Sequence, residues 1–437
     1  MTKTEKAFAQ KIQSRKAQIA VIGLGYVGLP LAVVFAQKGY RVVGIDTNGQ
    51  RIDCVNQGKS YIGDVPTAEL AAIVRQGRLR ATTDTKVLRD VDVVIVCVPT
   101  PLNRVKDPDI SFIVEATNSI HGTLHAGELI ILESTTYPGT TDEVILPALE
   151  KSGLKVGEDF YLCFSPERID PGNRDFKTQN IPKVVGGITP ACSRLAGLLY
   201  RQITPSVVRV SSSRTAEMTK LLENTFRIVN IGLMNELAQA AGSLNVDIWE
   251  AIDAAKTKPF GYMPFYPGPG IGGHCIGVDP IYLSWKARMH GSSLHFIELA
   301  RRVNAEMPRY VVNRSVHVLN RYSGKAISRS KVLVLGITYK RDVEDTRESP
   351  ALEILSELKA LGAEISYHDP MVPEIRHEGI HLISQPLTAA FLKKQDLVIL
   401  VTDHSTVNYK RVLAASRLIF DTRNKLSKFK SSKIVRL

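Results

Sequence analysis

The sequence predicts an α/β protein in which two doubly wound parallel-sheet halves are joined by a central helical part. Three observations predict it. Over residues 17–205, apolar runs of strand length alternate with helix-length segments, the pattern of a parallel sheet covered on both faces. From about Thr215 the chain turns helical, with apolar residues at helical spacing and no proline between Arg214 and Leu244. After Gly324 the alternation resumes. At 437 residues the chain exceeds one core, since domains run to roughly 100–200 residues. Four segments are expected: a basic N-terminal extension over 1–16, a first α/β domain over 17–205, a helical domain over 206–322 and a second α/β domain over 323–437.

In chain order, Gln18–Ile22 reads as a strand, residues 23–28 as a glycine turn and Leu29–Gly39 as a helix closed by glycine. Arg41–Ile45 is the next strand, followed by Val91–Val98, Leu129–Leu132 and Tyr161–Phe164. The middle third carries helical patterns over Arg214–Leu244, Asp247–Ala255 and Leu294–Asn320. One loop interrupts it. Glycine and proline make up nine of the fifteen residues from Pro259 to Gly273, interleaved with Phe260, Tyr262, Phe265 and Tyr266. A loop of this kind inside a compact domain points to function. Beyond Gly324, Lys331–Leu335, Ile365–His368, Leu397–Val401 and Leu418–Phe420 read as strands and Pro350–Leu361 as a helix.

Composition narrows the function classes. Hydrophobic residues at 44% and charged residues at 23% exclude a globally disordered chain. No apolar run approaches the ~18 residues that span a bilayer, and the polar, basic N-terminus shows no secretory signal. Five cysteines with no CxxC pair do not form a disulfide framework. Cys54, Cys97, Cys163 and Cys192 fall in helix-like or strand-like runs and read as small buried or semi-buried side chains, in keeping with a reducing, cytoplasmic setting. The net charge is +13. Residues 1–16 hold five basic residues and one acidic, and residues 423–437 hold six basic and none acidic, so the two ends carry ten of those thirteen charges. Such tails read as solvated. Without a nucleic-acid-binding motif, neither nucleic acid nor a membrane is expected as a partner, and no metal site is expected.

Gly23-Leu24-Gly25-Tyr26-Val27-Gly28 lies between a strand and a helix, with Asp46 ending the next strand. The first glycine permits the tight turn, the second lets a pyrophosphate approach the backbone, and the third allows close packing of helix on strand. An acid about 20 residues on would bind the adenine ribose and repel a 2′-phosphate, which predicts NAD rather than NADP in a Rossmann-like domain. Cys275 follows the glycine-rich loop directly, beside His274. It is either an activated nucleophile or a buried cysteine in a turn. In a dehydrogenase, a thiol can add to an aldehyde, and the thiohemiacetal can give up hydride to become a thioester. Lys220 and Asn224 share one face of a helix, a pairing that taken alone usually marks a solvated face. Glu167, in Ser165-Pro166-Glu167-Arg168 at the end of a strand, is either a general base for water or a helix-starting carboxylate.

Together the segments resemble the nucleotide-sugar 6-dehydrogenase family, the UDP-glucose/GDP-mannose dehydrogenases, over nearly the whole chain. They are GLGYVGLP (Gly23–Pro30), VPTP (Val98–Pro101), ESTTYPGTT (Glu133–Thr141), SPERI (Ser165–Ile169), KLLENTFR (Lys220–Arg227), PGPGIGGHCIGVDP (Pro267–Pro280) and YKRDVEDTRESP (Tyr339–Pro350). Within the family, the cysteine loop is most similar to that of members acting on UDP-N-acetylhexosamines, UDP-N-acetylglucosamine in particular. Many UDP-glucose members carry a lysine where this chain has Val278. The basic residue that those members send from a neighbouring subunit has two candidate matches, Lys256 and Lys258.

The resemblance implies an N-terminal NAD domain, a helical dimerisation domain that holds the cysteine loop, and a C-terminal UDP-sugar domain. It implies four-electron oxidation of C6 to a carboxylate, supplying uronic acids for surface polysaccharide. Cys275 would be the nucleophile. Lys220 and Asp279 would assist the first proton transfer and stabilise the oxyanion, with Asn224 hydrogen-bonding nearby. Glu167 would position the hydrolytic water, and Thr135 would lie near nicotinamide and sugar. NAD would contact Gly23, Gly25, Tyr26, Val27, Gly28, Asp46, Arg51, Pro99, Thr100, Ser134, Thr135 and Arg347. The UDP-sugar would meet Glu167, Arg168 and on to Pro171, then Lys220, Asn224, the loop through Tyr266, Gly268, Gly270 and Gly272, and finally Lys340 and Arg423. The chain would form a homodimer or a larger homo-oligomer. Alternatives are the same chemistry on UDP-N-acetylmannosamine, UDP-N-acetylgalactosamine or UDP-glucose, a two-electron hydroxyacid dehydrogenase, and a non-catalytic nucleotide-sugar-binding protein.

Overall fold

A computed structural model of the chain describes residues 3–103, 105–170, 173, 175–176 and 179–437. They fall into two compact units: residues 1–223 with 281–292, and residues 224–280 with 293–437.

The first unit is built on eight strands: β1 (Gln18–Ile22), β2 (Arg41–Ile45), β3 (Leu79–Thr82), β4 (Val93–Val96), β5 (Leu129–Leu132), β6 (Tyr161–Phe164), β7 (Lys183–Gly187) and β8 (Val207–Val210). Their order is β3-β2-β1-β4-β5-β6-β7-β8, and every pairing is parallel except that of β6 with β7. The first six strands follow the doubly wound order of mononucleotide-binding sheets. β4, β5 and β6 are buried at every residue, so they read in sequence as continuous apolar runs rather than alternating ones. The strand expected over Val91–Val98 is shorter at both ends, Val93–Val96, since Val91 still closes the preceding turn of helix.

Lys3–Gln13, expected as a solvated basic tail, is instead a helix. Its Phe8, Ala9 and Ile12 are buried, Phe8 stacks on Tyr161, and Tyr40 donates to the Ile12 carbonyl at 2.8 Å. The apolar residues one helical turn apart form the buried stripe, and Lys6 and Lys11 are exposed. Residues 281–292 also belong to this unit: Trp285 packs on Tyr137 with ring centroids 5.1 Å apart, and Lys286 pairs with Glu143 at 2.6 Å.

The second unit holds β9 (Lys331–Leu335), β10 (Glu364–His368), an antiparallel hairpin of β11 (Glu374–His377) and β12 (Ile380–Ile383), and then β13 (Leu397–Leu400), β14 (Ile419–Asp421) and β15 (Ile434–Arg436). The main sheet runs β10-β9-β13-β14-β15 and is parallel throughout. The basic C-terminal segment, expected to be solvated from Lys425 on, supplies the edge strand β15 and the fully buried Leu426. Its isolated apolar residues do the packing while Lys428 and Lys430 stay exposed. The helix His295–Ser323 packs against the later turns of the long helix Ser213–Ser243. A Cβ on Gly232 would sit 3.2 Å from Ala300, and Asn235 donates to Asn304 at 2.7 Å in the buried seam.

Candidate active site

In the first unit the glycine turn has the shape that its sequence requires. Gly23 has φ +92°, and a Cβ there would lie 2.4 Å from the Cys97 carbonyl oxygen. A Cβ on Gly28 would strike the Gly23 carbonyl oxygen at 1.8 Å, whereas nothing lies within 4 Å of one on Gly25. The backbone is thus closed on the sheet side and open at the position where a pyrophosphate would approach. The helix Gly28–Gln37 that follows has no side-chain cap at Val27, which leaves its first N–H groups available to an anion. At the end of β2, Asp46 accepts the Leu24 N–H at 2.8 Å and the Asn48 N–H at 2.9 Å. Arg51, 42% exposed, reaches it at 3.2 Å. Tyr26 is exposed and Val27 half-buried. These residues fit a dinucleotide. Pro99 and Thr100 follow β4, and Ser134 and Thr135 follow β5, on the same carboxyl edge of the sheet. Ser134 donates to the Val96 carbonyl at 3.3 Å.

Glu167 leaves the end of β6 with a side chain only 7% exposed. Its Oε1 accepts the N–H groups of Arg168 at 2.7 Å and Ile169 at 2.6 Å, and its carbonyl accepts from Lys220 Nζ at 3.3 Å. Burial opposes its ionisation, but the ammoniums of Lys183 and Lys220 and the Ile169 N–H outweigh burial and hold the carboxyl below its ordinary range. Lys183 pairs with Glu133 at 2.9 Å and with Glu167 at 3.5 Å. Arg168 pairs with Glu223 at 2.6 Å. Pro171 lies outside the described residues. Glu217, fully buried, accepts Gly139 N–H at 2.7 Å, Thr141 N–H at 2.9 Å and Thr141 Oγ1 at 2.6 Å. It thereby fixes the turn that follows Thr135. Burial pushes its carboxyl up to about 7 against those hydrogen bonds.

In the second unit Cys275 is exposed in the first turn of the helix His274–Met289. Negative charge is stabilised there by unsatisfied N–H groups. Asp279 lies one turn further on the same face and is 2% exposed. Asn224 donates to its Oδ2 at 2.6 Å, so the structure joins two of the residues named from sequence. The loop before the thiol is held by backbone contacts that only glycine allows. A Cβ on Gly272 would meet the Glu348 carbonyl oxygen at 2.6 Å, and Gly273, at φ +79°, lies under the Tyr339 ring. Gly273 N–H donates to the Arg347 carbonyl at 3.1 Å. Gly268 N–H donates to Asn235 at 2.8 Å, and a Cβ on Gly268 would touch the Arg423 guanidinium at 2.8 Å. Gly270 has φ +130°. The Tyr339–Pro350 segment therefore buttresses the cysteine loop.

Arg423 donates to the Val401 carbonyl at 2.8 Å, and burial pulls its guanidinium down to about 10. Tyr266 stacks on Trp249 and donates to Asp253 at 2.8 Å. Arg347 forms a fork on Asp345, with contacts of 2.6–3.1 Å. Lys340 is half-buried.

Residue-by-residue reading missed the groups behind Glu167: Lys183, Tyr200 and the buried Glu133. The signal was a lysine inside the apolar run IPKVVGG and an acid at the end of a fully apolar strand. Among the described residues, no helix is long and apolar enough to cross a membrane, and no group of histidine, cysteine and acidic side chains could hold a metal ion.

Comparison with known proteins adds three matches to family models. Residues 17–204 match the NAD binding domain of the UDP-glucose/GDP-mannose dehydrogenase family, residues 214–306 its central domain and residues 333–428 its UDP binding domain. The chain is 39% identical to UDP-N-acetyl-D-glucosamine 6-dehydrogenase of Pseudomonas aeruginosa, over 95% of this chain and 98% of that protein. It is 35% identical to UDP-N-acetyl-D-mannosamine dehydrogenase of Pyrococcus horikoshii, over 93% and 95%. A solved structure of UDP-D-ManNAc dehydrogenase from Pyrococcus horikoshii superposes with a TM-score of 0.86 at 32% identity, covering 96% of this chain and 98% of that one.

Proposed function

Because the chain belongs to the UDP-glucose/GDP-mannose dehydrogenase family, with its NAD-binding domain, we propose that it oxidises C6 of a UDP-N-acetylhexosamine from alcohol to carboxylate. UDP-N-acetylglucosamine is the favoured substrate, with the product a uronic acid for surface polysaccharide. The observation that carries this proposal is Cys275, exposed at a helix start, with the Asp279–Asn224 pair one turn away.

The Gly23–Gly28 turn, Asp46, Arg51, Pro99, Thr100, Ser134, Thr135 and Arg347 would hold NAD, which when bound would take up one hydride per molecule, so that the two oxidations of C6 would consume two NAD. Lys220 and Asp279 assist loss of the hydroxyl proton and stabilise the oxyanion, and Asn224 keeps Asp279 in place. The Cys275 sulfur bonds to C6 of the aldehyde, giving a thiohemiacetal that becomes a thioester after the second oxidation. Water then attacks the acyl carbon, its proton passes to Glu167, the C6–S bond breaks, and the thiolate leaves. Arg168, Tyr266, Gly268, Gly270, Gly272, Lys340 and Arg423 line the nucleotide-sugar side in this scheme. Three functional parts are assigned within the two units: the NAD part over 17–205, the helical part over 206–322 and the UDP-sugar part over 323–437.

Identity to the Pseudomonas aeruginosa protein favours the gluco sugar, and likeness to the Pyrococcus horikoshii protein makes UDP-N-acetylmannosamine the second reading. NADH counted against a panel of UDP-sugars decides between them. We expect two NADH per UDP-N-acetylglucosamine and at least tenfold lower kcat/KM for the manno, galacto and glucose compounds. Preference for another sugar at the same stoichiometry corrects the substrate alone.

A homo-oligomer is part of the same proposal. Met218, Leu222, Phe226, Leu233 and Leu237 are 40–58% exposed along one face of the helix Ser213–Ser243, an apolar stripe that a second copy would cover. Light scattering should give at least a dimer for the native chain and a smaller species for Leu222→Asp/Leu233→Asp. An unchanged mass in that variant would refute the stripe.

A further inference from the structure

Behind Glu167 the first unit buries a group of ionisable side chains to which the chemistry above gives no role. Lys183, at the start of β7, is 4% exposed at its side chain and sits between two carboxylates, Glu133 at 2.9 Å and Glu167 at 3.5 Å. Tyr200, fully buried on the helix Pro190–Tyr200, donates its hydroxyl to Glu133 Oε1. The Lys183 ammonium lies 5.2 Å from the centre of the Tyr200 ring. One of the two carboxylates is closed in on every side, since Glu133 is 1% exposed. The other, Glu167, is anchored by two backbone N–H groups at one oxygen and by Lys183 at the second. Burying an ammonium with two carboxyl groups is costly, with burial pushing the Glu133 carboxyl up to about 7 against the Lys183 ammonium, and an apolar substitute commonly stabilises a fold as well or better. A network of this kind at the ligand edge of a sheet is therefore better explained by what it does to its outermost member.

We propose that Lys183 is a positioning residue, held in place by Glu133 and Tyr200, whose ammonium keeps the Glu167 carboxylate oriented and charged for the water that releases the acid product. This rests on the thioester scheme above. Glu133 carries the other half of the device. Its carboxyl, 2.9 Å from the ammonium, and the Tyr200 ring, 5.2 Å from it, hold Lys183 on the side of Glu167. The groups facing Glu167 are Glu133 after β5, Lys183 on β7, Lys220 on the long helix and, through space, the buried Cys97 thiol. Tyr200 faces it only through Glu133. Removing the Lys183 charge leaves burial opposed by Lys220 and the backbone N–H groups, so the carboxyl takes up a proton at higher pH.

The test is single turnover of the full chain with NAD and UDP-N-acetylglucosamine, or whichever panel sugar is oxidised, followed by acid quench and intact-mass measurement. Lys183→Met should slow release of the uronic acid at least tenfold, leave a sugar-acyl adduct on the protein, and move the acid limb of the turnover profile to higher pH. Lys183→Arg, which keeps the charge, should restore the position of that limb. Glu167→Gln is the reference and should accumulate the same adduct. If Glu167→Gln holds the adduct and Lys183→Met does not, or if Lys183→Met loses rate with an unmoved acid limb, the positioning role is overturned and the thioester scheme stands. If Glu167→Gln itself holds no adduct, the scheme fails and takes this inference with it. Should Lys183→Met not fold, Glu133→Gln/Lys183→Met removes both charges at nearly constant shape and carries the same measurement.

Discussion

The two units contain the same local device and use it differently. In each, a strand ends in a glycine at positive φ: Gly23 at +92° after β1 and Gly336 at +84° after β9. Added Cβ atoms would lie 2.4 Å from the Cys97 carbonyl oxygen and 2.1 Å from that of Thr402. In each, an acid at the end of the neighbouring strand collects the N–H groups of the turn: Asp46 from Leu24 and Asn48, Asp369 from Ile337, Thr338 and Met371. The difference lies in what closes over the acid. Asp46 faces the half-exposed Arg51, and its turn runs straight into a helix with no side-chain cap. Asp369 is closed by the fully buried His404 at 3.0 Å, and its turn continues through Tyr339–Ser349 to a helix capped by Ser349. The first acid is the one to which the proposal assigns a ribose. The second is spent on holding a turn, and its long connection serves the cysteine loop instead.

One substitution made in both places breaks the comparison open. Asp46→Ala should weaken NAD binding about 10–100-fold, the loss of a hydrogen bond to a charged acceptor, while Asp369→Ala should leave NAD affinity within about twofold. Titration of NAD by fluorescence or calorimetry measures both. Equal losses would contradict the division of labour. In the same pair, Asp369→Ala should lower unfolding free energy by about 1–3 kcal/mol, because it leaves the buried N–H groups of Ile337 and Thr338 without their acceptor.

A smaller effect separates the units by pH. Burial opposes ionisation of Asp369, but the His404 hydrogen bond and the Ile337 and Met371 N–H groups outweigh it and hold the carboxyl low. Its contribution is therefore present above the ordinary aspartate range and is lost as pH falls through the lower folded value. Glu217 behaves oppositely, with its folded carboxyl raised to about 7. Its contribution is full below the ordinary glutamate value and is lost as pH rises through about 7. Denaturant melts across pH 4–8 should show Glu217→Gln removing a decline on the order of 2 kcal/mol. A slope unchanged by Glu217→Gln would remove this residue from the account.

Most of the architecture was legible because its signals are local. A glycine turn between strand and helix with an acid some twenty residues on is written in consecutive residues, and so is the cysteine loop. The buried strands β4 to β6 announced themselves as apolar runs. What was not legible needed contacts between distant positions. Glu133, Glu167, Lys183 and Tyr200 come from four elements, and nothing in the run IPKVVGG says which acids its lysine meets. Both basic ends were misread for one reason: their net charge was weighed and the spacing of their scattered apolar side chains was not, yet Phe8, Ile12 and Leu426 decide the packing. The Asp369–His404 lock was invisible because its partners lie 35 positions apart.

The central claim is that Cys275 carries the acyl group. Its most direct test is quenched single turnover of UDP-N-acetylglucosamine with NAD, comparing the native chain with Cys275→Ala by NADH count and product analysis. We predict two NADH and one uronic acid per sugar for the native chain, with no acid formed by Cys275→Ala. One NADH per sugar, or acid formed at the native rate without the thiol, would contradict it.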